Sequence, residues 1–226
     1  MLFRNKNSLV LLVLSVFLFT LIIVTAEAKT SDKKPKPPMK AWAKITGFRS
    51  AKFGMDEKKV IRSIGKDFKI SRSKVKRSVH PIQKTNNLGV TVPKLMEAGG
   101  TAKVGYILGM NSQKLMQVNI HWGFGASKDV NEDEVVGLAN LLRDHFIKKR
   151  YQKGLVVNGK ISDSTIIAFR GRDEKGSQIL LLLNMPVAQK GEDPAEVAKK
   201  TSLRLAYQLA PDAPDVLTIT IKEGDF

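Results

Sequence analysis

Two stretches of this 226-residue chain alternate apolar and polar side chains with a period of two. Between Leu115 and Trp122, the residues Met116, Val118, Ile120 and Trp122 share one face, and Gln117, Asn119 and His121 share the other. Further on, Leu203, Leu205, Tyr207 and Leu209 alternate with Arg204, Ala206 and Gln208. Successive side chains of an extended strand leave on opposite sides. This pattern therefore specifies antiparallel strands with one covered face and one open face. The rest of the chain must supply the cover.

Two amphipathic segments do so. After Gly54, Asp56 reads as a helix N-cap, and Val60, Ile61, Ile64 and Phe68 fall on one face, with Lys58, Lys59, Arg62 and Lys66 on the other. A second helix is predicted from Glu132 to Arg150, started by Asn131 with Glu134 three residues on. Its acidic first turn and its basic end at Lys148, Lys149 and Arg150 match the helix dipole. Its buried stripe is Val135, Leu138, Ala139, Leu142 and Phe146.

Further strands are predicted around these. Lys103 to Leu108 joins the Leu115 strand through the turn Gly109-Met110-Asn111-Ser112. Thr165 to Arg170 pairs with Gln178 to Met185 across Gly171 to Gly176. Leu217, Ile219 and Ile221, alternating with Thr218, Thr220 and Lys222, read as a last strand. Weaker strands fall at Ile70 to Val79 and Leu88 to Leu95. The fold class is α+β, with two helix-plus-antiparallel-sheet halves at residues 41–128 and 129–226. The element order repeats as in a degenerate internal duplication, with slight side-chain correspondence between the halves.

Ahead of the halves, residues 1–28 read as a signal peptide. Arg4 and Lys6 precede an apolar run from Leu9 to Val24, and Ala26-Glu27-Ala28 supplies an A-x-A cleavage site. The expected location is the bacterial periplasm. The alternative is an uncleaved tether in the inner membrane through residues 9–25. Residues 29–40 read as a linker rich in lysine and proline. The chain has no cysteine, which excludes disulfides, thiolate metal sites, cysteine nucleophiles and a lipoprotein anchor.

The segment Phe48-Arg49-Ser50-Ala51-Lys52-Phe53-Gly54-Met55 resembles the opening of a group of uncharacterised exported proteobacterial proteins, written FRSAxFGM. Leu203 to Tyr207, Pro214-Asp215 and Gly224 to Phe226 resemble that group's C-terminal part. More distantly, Gly54-Met55 before Val60 resembles the helix start of the small outer-membrane assembly lipoproteins and the β-lactamase-inhibitor-like fold. The resemblance implies an exported α+β module that binds protein partners, with no catalytic residues to carry over. The missing anchor cysteine departs from the assembly lipoproteins.

Catalytic motifs are thin. His80, His121 and His145 have no metal-ligand spacing. Ser63-Ile64-Gly65-Lys66 and Ser71-Arg72-Ser73-Lys74 match S-x-x-K formally but sit in lysine-rich runs without partner motifs. Gly123-Phe124-Gly125 is followed by Glu132 to Glu134, which would repel phosphate. No cofactor and no metal are indicated. A pocket lined by at least two of His121, Asp144, His145 and Asp163 would instead point to an enzyme.

Charge carries the remaining signal. The chain has 38 Lys and Arg against 21 Asp and Glu. The excess concentrates in residues 58–84, which hold ten cations and Asp67 alone to offset them. Lys58, Lys59, Arg62, Lys66, Lys69, Arg72, Lys74, Lys76 and Arg77 are therefore the expected partner surface. The expected function is a non-enzymatic envelope binding or scaffold protein. Its partner is an anionic lipid, a glycolipid or an acidic envelope protein. An enzyme-inhibitor-type module is the alternative. Nucleic acid fits poorly, because the block lacks stacking aromatics beyond Phe68.

Overall fold

The computed structural model describes residues 39–218. The expected signal peptide, most of the linker and the part of the last expected strand beyond Thr218 lie outside the described residues. No helix among the described residues is long and apolar enough to cross a membrane.

The chain opens with a small hairpin, β1 (Gly47–Phe48) and β2 (Ala51–Lys52), and then enters α1 (Glu57–Phe68). A single 3₁₀ turn at Arg72–Lys74 leads into β3 (Lys76–Val79), β4 (Asn86–Met96), β5 (Gly100–Leu108) and β6 (Leu115–Gly123). The second round is α2 (Glu132–Phe146), β7 (Val156–Lys160), β8 (Thr165–Arg172), β9 (Gln178–Asn184), a short α3 (Pro194–Ala198) and β10 (Ser202–Gln208). Eight strands form one antiparallel sheet in the order β3-β4-β5-β6-β10-β9-β8-β7. The last strands of the two rounds pair with each other, so the order reads outward from the β6–β10 seam in the same sense on both sides. This is an α+β fold dominated by its sheet.

α1 and α2 lie on one side. Val60, Ile61 and Ile64 of α1 and Val135, Leu138, Ala139, Leu142 and Phe146 of α2 join one core. The inward residues of the sheet complete it, with Val90, Val104, Ile120, Leu205, Leu181 and Phe169 in register across six strands. α1 starts as the sequence predicts, with the Lys59 N–H donating to Asp56 Oδ1 at 2.9 Å. α2 starts at Asn131, whose side chain accepts from the Glu134 N–H at 3.3 Å.

The Phe48–Ala51 corner ties the hairpin to the end of α1. Asp67 accepts from the Ser50 N–H at 3.0 Å and from its hydroxyl at 2.7 Å. The Arg49 guanidinium stacks over Phe68, 4.9 Å from the ring centroid, and donates to the Leu95 carbonyl. Phe48 packs on Phe68 and Tyr207.

Five local expectations change. α2 stops at Phe146 rather than Arg150, because residues 41–43 capture Arg150 as an extended partner. The Arg150 N–H donates to Ala41, the Ala43 N–H donates to Arg150, and the guanidinium lies 4.2 Å from the Trp42 ring centroid. In β6, Leu115 is buried in the position expected of Met116, because the β5–β6 register shifts between Ile107 and Leu108. Leu115 is fixed there by donating to Met55 O and accepting from the Gly54 N–H. Leu209 lies past the end of β10 and is exposed, so the alternation closes at Tyr207. Leu217 is not in a strand, although its N–H donates to Gln83 O at 3.0 Å. Finally, only Lys76–Val79 of the strand expected over Ile70 to Val79 forms, because Arg72–Lys74 make a 3₁₀ turn ahead of it.

Candidate functional site: the helix-free face of the sheet

The other face of the sheet carries the polar half of the alternation. Its middle row runs Thr91, Lys103, His121, Arg204, Leu182 and Ile167 in direct cross-strand register. As predicted, His121 shares this face with Gln117 and Asn119, away from the core. It is half-buried rather than freely solvated.

One end of the face is fixed by an amide chain across the seam. The Gln178 amide donates to Gln208 Oε1 at 2.9 Å, Gln208 donates to Gln117 Oε1 at 3.4 Å, and Gln117 donates to Asn119 Oδ1 at 2.8 Å. An uncharged side-chain amide both donates and accepts, so a row of them satisfies itself without an ion. This row bridges β9, β10 and β6 and couples the two rounds of the fold.

The cations one row away have no such partners. Burial holds the His121 imidazole below its ordinary range, and neighbouring Arg204 and Lys103 push it further the same way. Burial also lowers Arg204, whose Nε is enclosed without a hydrogen-bond partner among the described residues. A buried donor left unpaired is costly, and the cost is removed by any acceptor that reaches it.

Beside this row lies a groove of about 1300 Å³. β4, β5 and β6 form its floor, with Gly89, Gly105, Asn119 and His121. β3 and the turn after it form a wall, with Lys76, Val79 and Pro81. Lys69 and Lys74 stand at the approach to β3, and Lys103 rises from β5. No aspartate or glutamate is among the lining residues. A smaller cavity of about 600 Å³ adjoins it beneath the segment from Leu209 to Val216.

The nine expected partner residues separate onto two sides of the molecule. Lys58, Lys59, Arg62 and Lys66 are exposed on the outer face of α1, in the helix layer, and Lys59 lies 3.8 Å from Asp56. Lys69, Lys74 and Lys76 line the groove on the opposite side of the sheet, whereas Arg77, which borders it, is in the other strand phase, opposite buried Leu88. Arg72 is exposed in the 3₁₀ turn between them and does not line the groove. Arg77 is committed elsewhere, donating to Glu57 Oε1 at 2.8 Å. The groove adds Lys103 and His121, and Arg204 follows one strand on. None of these three was in the charge block. The signal that marks them is the polar phase of the alternating strands. The groove takes in His121 but not Asp144, His145 or Asp163.

No protein-family model, curated protein or solved structure matches this chain.

Proposed function

We propose that this protein is a non-enzymatic binding protein of the bacterial envelope, and that its helix-free groove receives an anionic partner. The observation that carries this reading is the composition of the groove. Lys69, Lys74, Lys76 and Lys103 line it with no carboxylate among the lining residues, and none of the four is ion-paired among the described residues. Like charges gathered on a concave surface repel one another and focus a positive potential into it. An anionic partner relieves that repulsion, with a gain of roughly 1 kcal/mol per basic residue at an acidic membrane surface. The Arg4 to Ala28 segment supports export to the compartment where acidic lipids, glycolipids and acidic envelope proteins are met.

The test is co-sedimentation with vesicles of phosphatidylglycerol or phosphatidylcholine, alongside capture from envelope extract at low and high salt. Lys74, Lys76 and Lys103 are changed together to Glu, and Arg77 is left intact because it holds Glu57. Binding to anionic material that falls with salt and disappears in the triple variant, with an unchanged melting temperature, is the expected result. Equal recovery on both lipids and unchanged capture by the triple variant would remove the reading.

A further inference from the structure

At the centre of the sheet, one pairing has no explanation in folding. Arg204 of β10 lies directly opposite His121 of β6, and His121 lies directly opposite Lys103 of β5. Three basic side chains therefore stand in one row on the helix-free face. The Leu209 N–H donates to the Met116 carbonyl, and the Phe124 N–H donates to the Thr201 carbonyl. Those bonds set the alternation of the β6–β10 ladder and leave Arg204 and His121 as a pair without mutual backbone bonds. That is the closer of the two antiparallel spacings, with Cα atoms about 4.5 Å apart. Like charges directly opposite weaken a sheet. Charge on an outermost strand guards against aggregation, but β6 and β10 are the two middle strands of the sheet.

Nothing in the sheet neutralises the row. None of its eight strands contains an aspartate or glutamate. None of the three basic side chains is ion-paired among the described residues. Farther along the same face, the opposed residues Gln117 and Gln208 satisfy each other at 3.4 Å. Between them and the row lies Asn119. Its Oδ1 accepts from Gln117 at 2.8 Å, which turns its own N–H groups outward as donors. Asn119 lines both the groove and the smaller cavity, with His121 and Lys103 in the first and Arg204 in the second. The two cavities meet at this row.

Resting on the anionic-partner reading, we infer that this row seats a phosphomonoester group, held by Arg204, His121, Lys103 and Asn119. The match is one of charge and of shape. Arg204 and Lys103 carry two positive charges, and a phosphomonoester carries about −1.5 to −2 at pH 7. The neutral imidazole and the Asn119 amide add N–H donors without adding charge. The three free oxygens of the tetrahedral group meet donors from three adjacent strands, β5, β6 and β10. A carboxylate offers two oxygens and one charge, and a phosphodiester offers one charge, so each leaves a cation of the row unmatched. The groove beside the row, about 1300 Å³, has room for whatever carries the phosphate.

The experiment follows the His121 imidazole by NMR at neutral pH, with calorimetric titration alongside, in the protein purified from cells expressing the whole chain. His121→Asn assigns the resonance. The probes are glycerol 3-phosphate, dihexanoyl phosphatidic acid, dihexanoyl phosphatidylglycerol and glutarate. Saturable shifts of His121, with His145 unmoved, are expected with the two monoesters. The diester and the dicarboxylate should bind at least ~10-fold more weakly. Arg204→Gln should weaken glycerol 3-phosphate binding by at least ~10-fold. Its melting temperature should be equal or higher, because one of two opposed cations is gone. Lys103→Met, at an exposed position, should weaken binding similarly, and it decides the matter if Arg204→Gln unfolds. Tighter binding of phosphatidic acid than of glycerol 3-phosphate assigns the phosphate to a membrane lipid, and equal binding assigns it to a soluble ester; both support the inference. Unmoved His121 resonances, equal binding of glutarate or phosphatidylglycerol, or folded variants that bind like the unsubstituted protein overturn it. If it is overturned while anionic vesicles still sediment the protein, the anionic-partner reading stands. If they do not, both fall.

Discussion

His121 and Arg204 are cross-strand partners at the β6–β10 seam, two basic side chains side by side on the same half-buried face. The imidazole stays neutral there more readily than in the unfolded chain. Its burial, then Arg204, then Lys103 all disfavour the protonated form. As pH falls from neutrality, the unfolded chain takes up this proton first, around the ordinary value of 6.5. Stability therefore declines as pH drops through that value, until the lower folded-state value is reached. His121→Asn should flatten this part of the profile. Melting temperatures at pH 7.5 and 5.0 check it, and the substituted protein should lose less on acidification.

The amide row across the seam depends on Gln208, which accepts from Gln178 and donates to Gln117. Gln208→Leu leaves the amide of buried Gln178 without its acceptor, at an expected cost of about 1–2 kcal/mol. Urea denaturation should show a lower midpoint with an unchanged slope. A midpoint equal to that of the unsubstituted protein would mean that water replaces Gln208.

Asp215 anchors the C-terminal segment on the β5–β6 turn. It accepts from both nitrogens of Asn111, at 3.0 and 2.9 Å, and from the Ser112 N–H at 2.8 Å. The Ser112 hydroxyl and the backbone N–H groups of Ser112 and Asn111 hold its carboxyl down to about 2. The stabilisation is complete above the ordinary value of 3.8 and is lost as pH falls from there toward about 2. Asp215→Asn should lower the melting temperature at pH 7 and match the unsubstituted protein at pH 2. A difference that persists at pH 2 would place the contribution outside the carboxylate.

Gly109 is the reciprocal test of that anchor. A Cβ at this position would run into the Asp215 carboxylate. Gly109→Ala should destabilise by about 1–3 kcal/mol, in the range of an overpacked site. Hydrogen exchange at the Ser112 amide should rise with it. Unchanged protection at Ser112 would mean that the segment moves aside without releasing the turn.

Asp173 is buried and serves three backbone donors: Ile45 at 2.8 Å, and Lys175 and Ser177 at 3.0 Å each. It closes the β8–β9 turn and fastens the strand-like entry of the chain to it. Asp173→Ala should cost about 2–3 kcal/mol, because enclosed N–H groups lose their acceptor. Calorimetry reads the loss directly, and a shift within error would show that the three donors find water.

Local chemistry in the sequence was enough to place both helix starts, the α2 stripe, the strands β5 and β9, and the phase of β6 and β10. A cap, a 3.6-residue stripe and a two-residue alternation each depend on neighbours within one element. Where the expectations failed, a distant contact decided. Met116 yielded to Leu115 because Met55, sixty positions earlier, hydrogen-bonds Leu115. The end of α2 yielded to Trp42 and Ala43. β7 shows too little alternation to be read from five residues, and it exists because β8 offers it an open edge.

The charge block in residues 58–84 was plain in the sequence, but the surface it belongs to was not. Residues 58–66 follow a helix period and residues 76–79 a strand period, so Lys76 leaves on the side of the sheet away from α1 while Arg77 turns back to Glu57 of α1. Alternation by itself determined that His121 and Arg204 would avoid the core. Only the register of β10 against β6, and of β4 against β5, set Arg204 beside His121 and Gly89 against Gly105. Register is a property of the paired strands, fixed by bulges, turns and the packing of the buried face, and no single segment carries it.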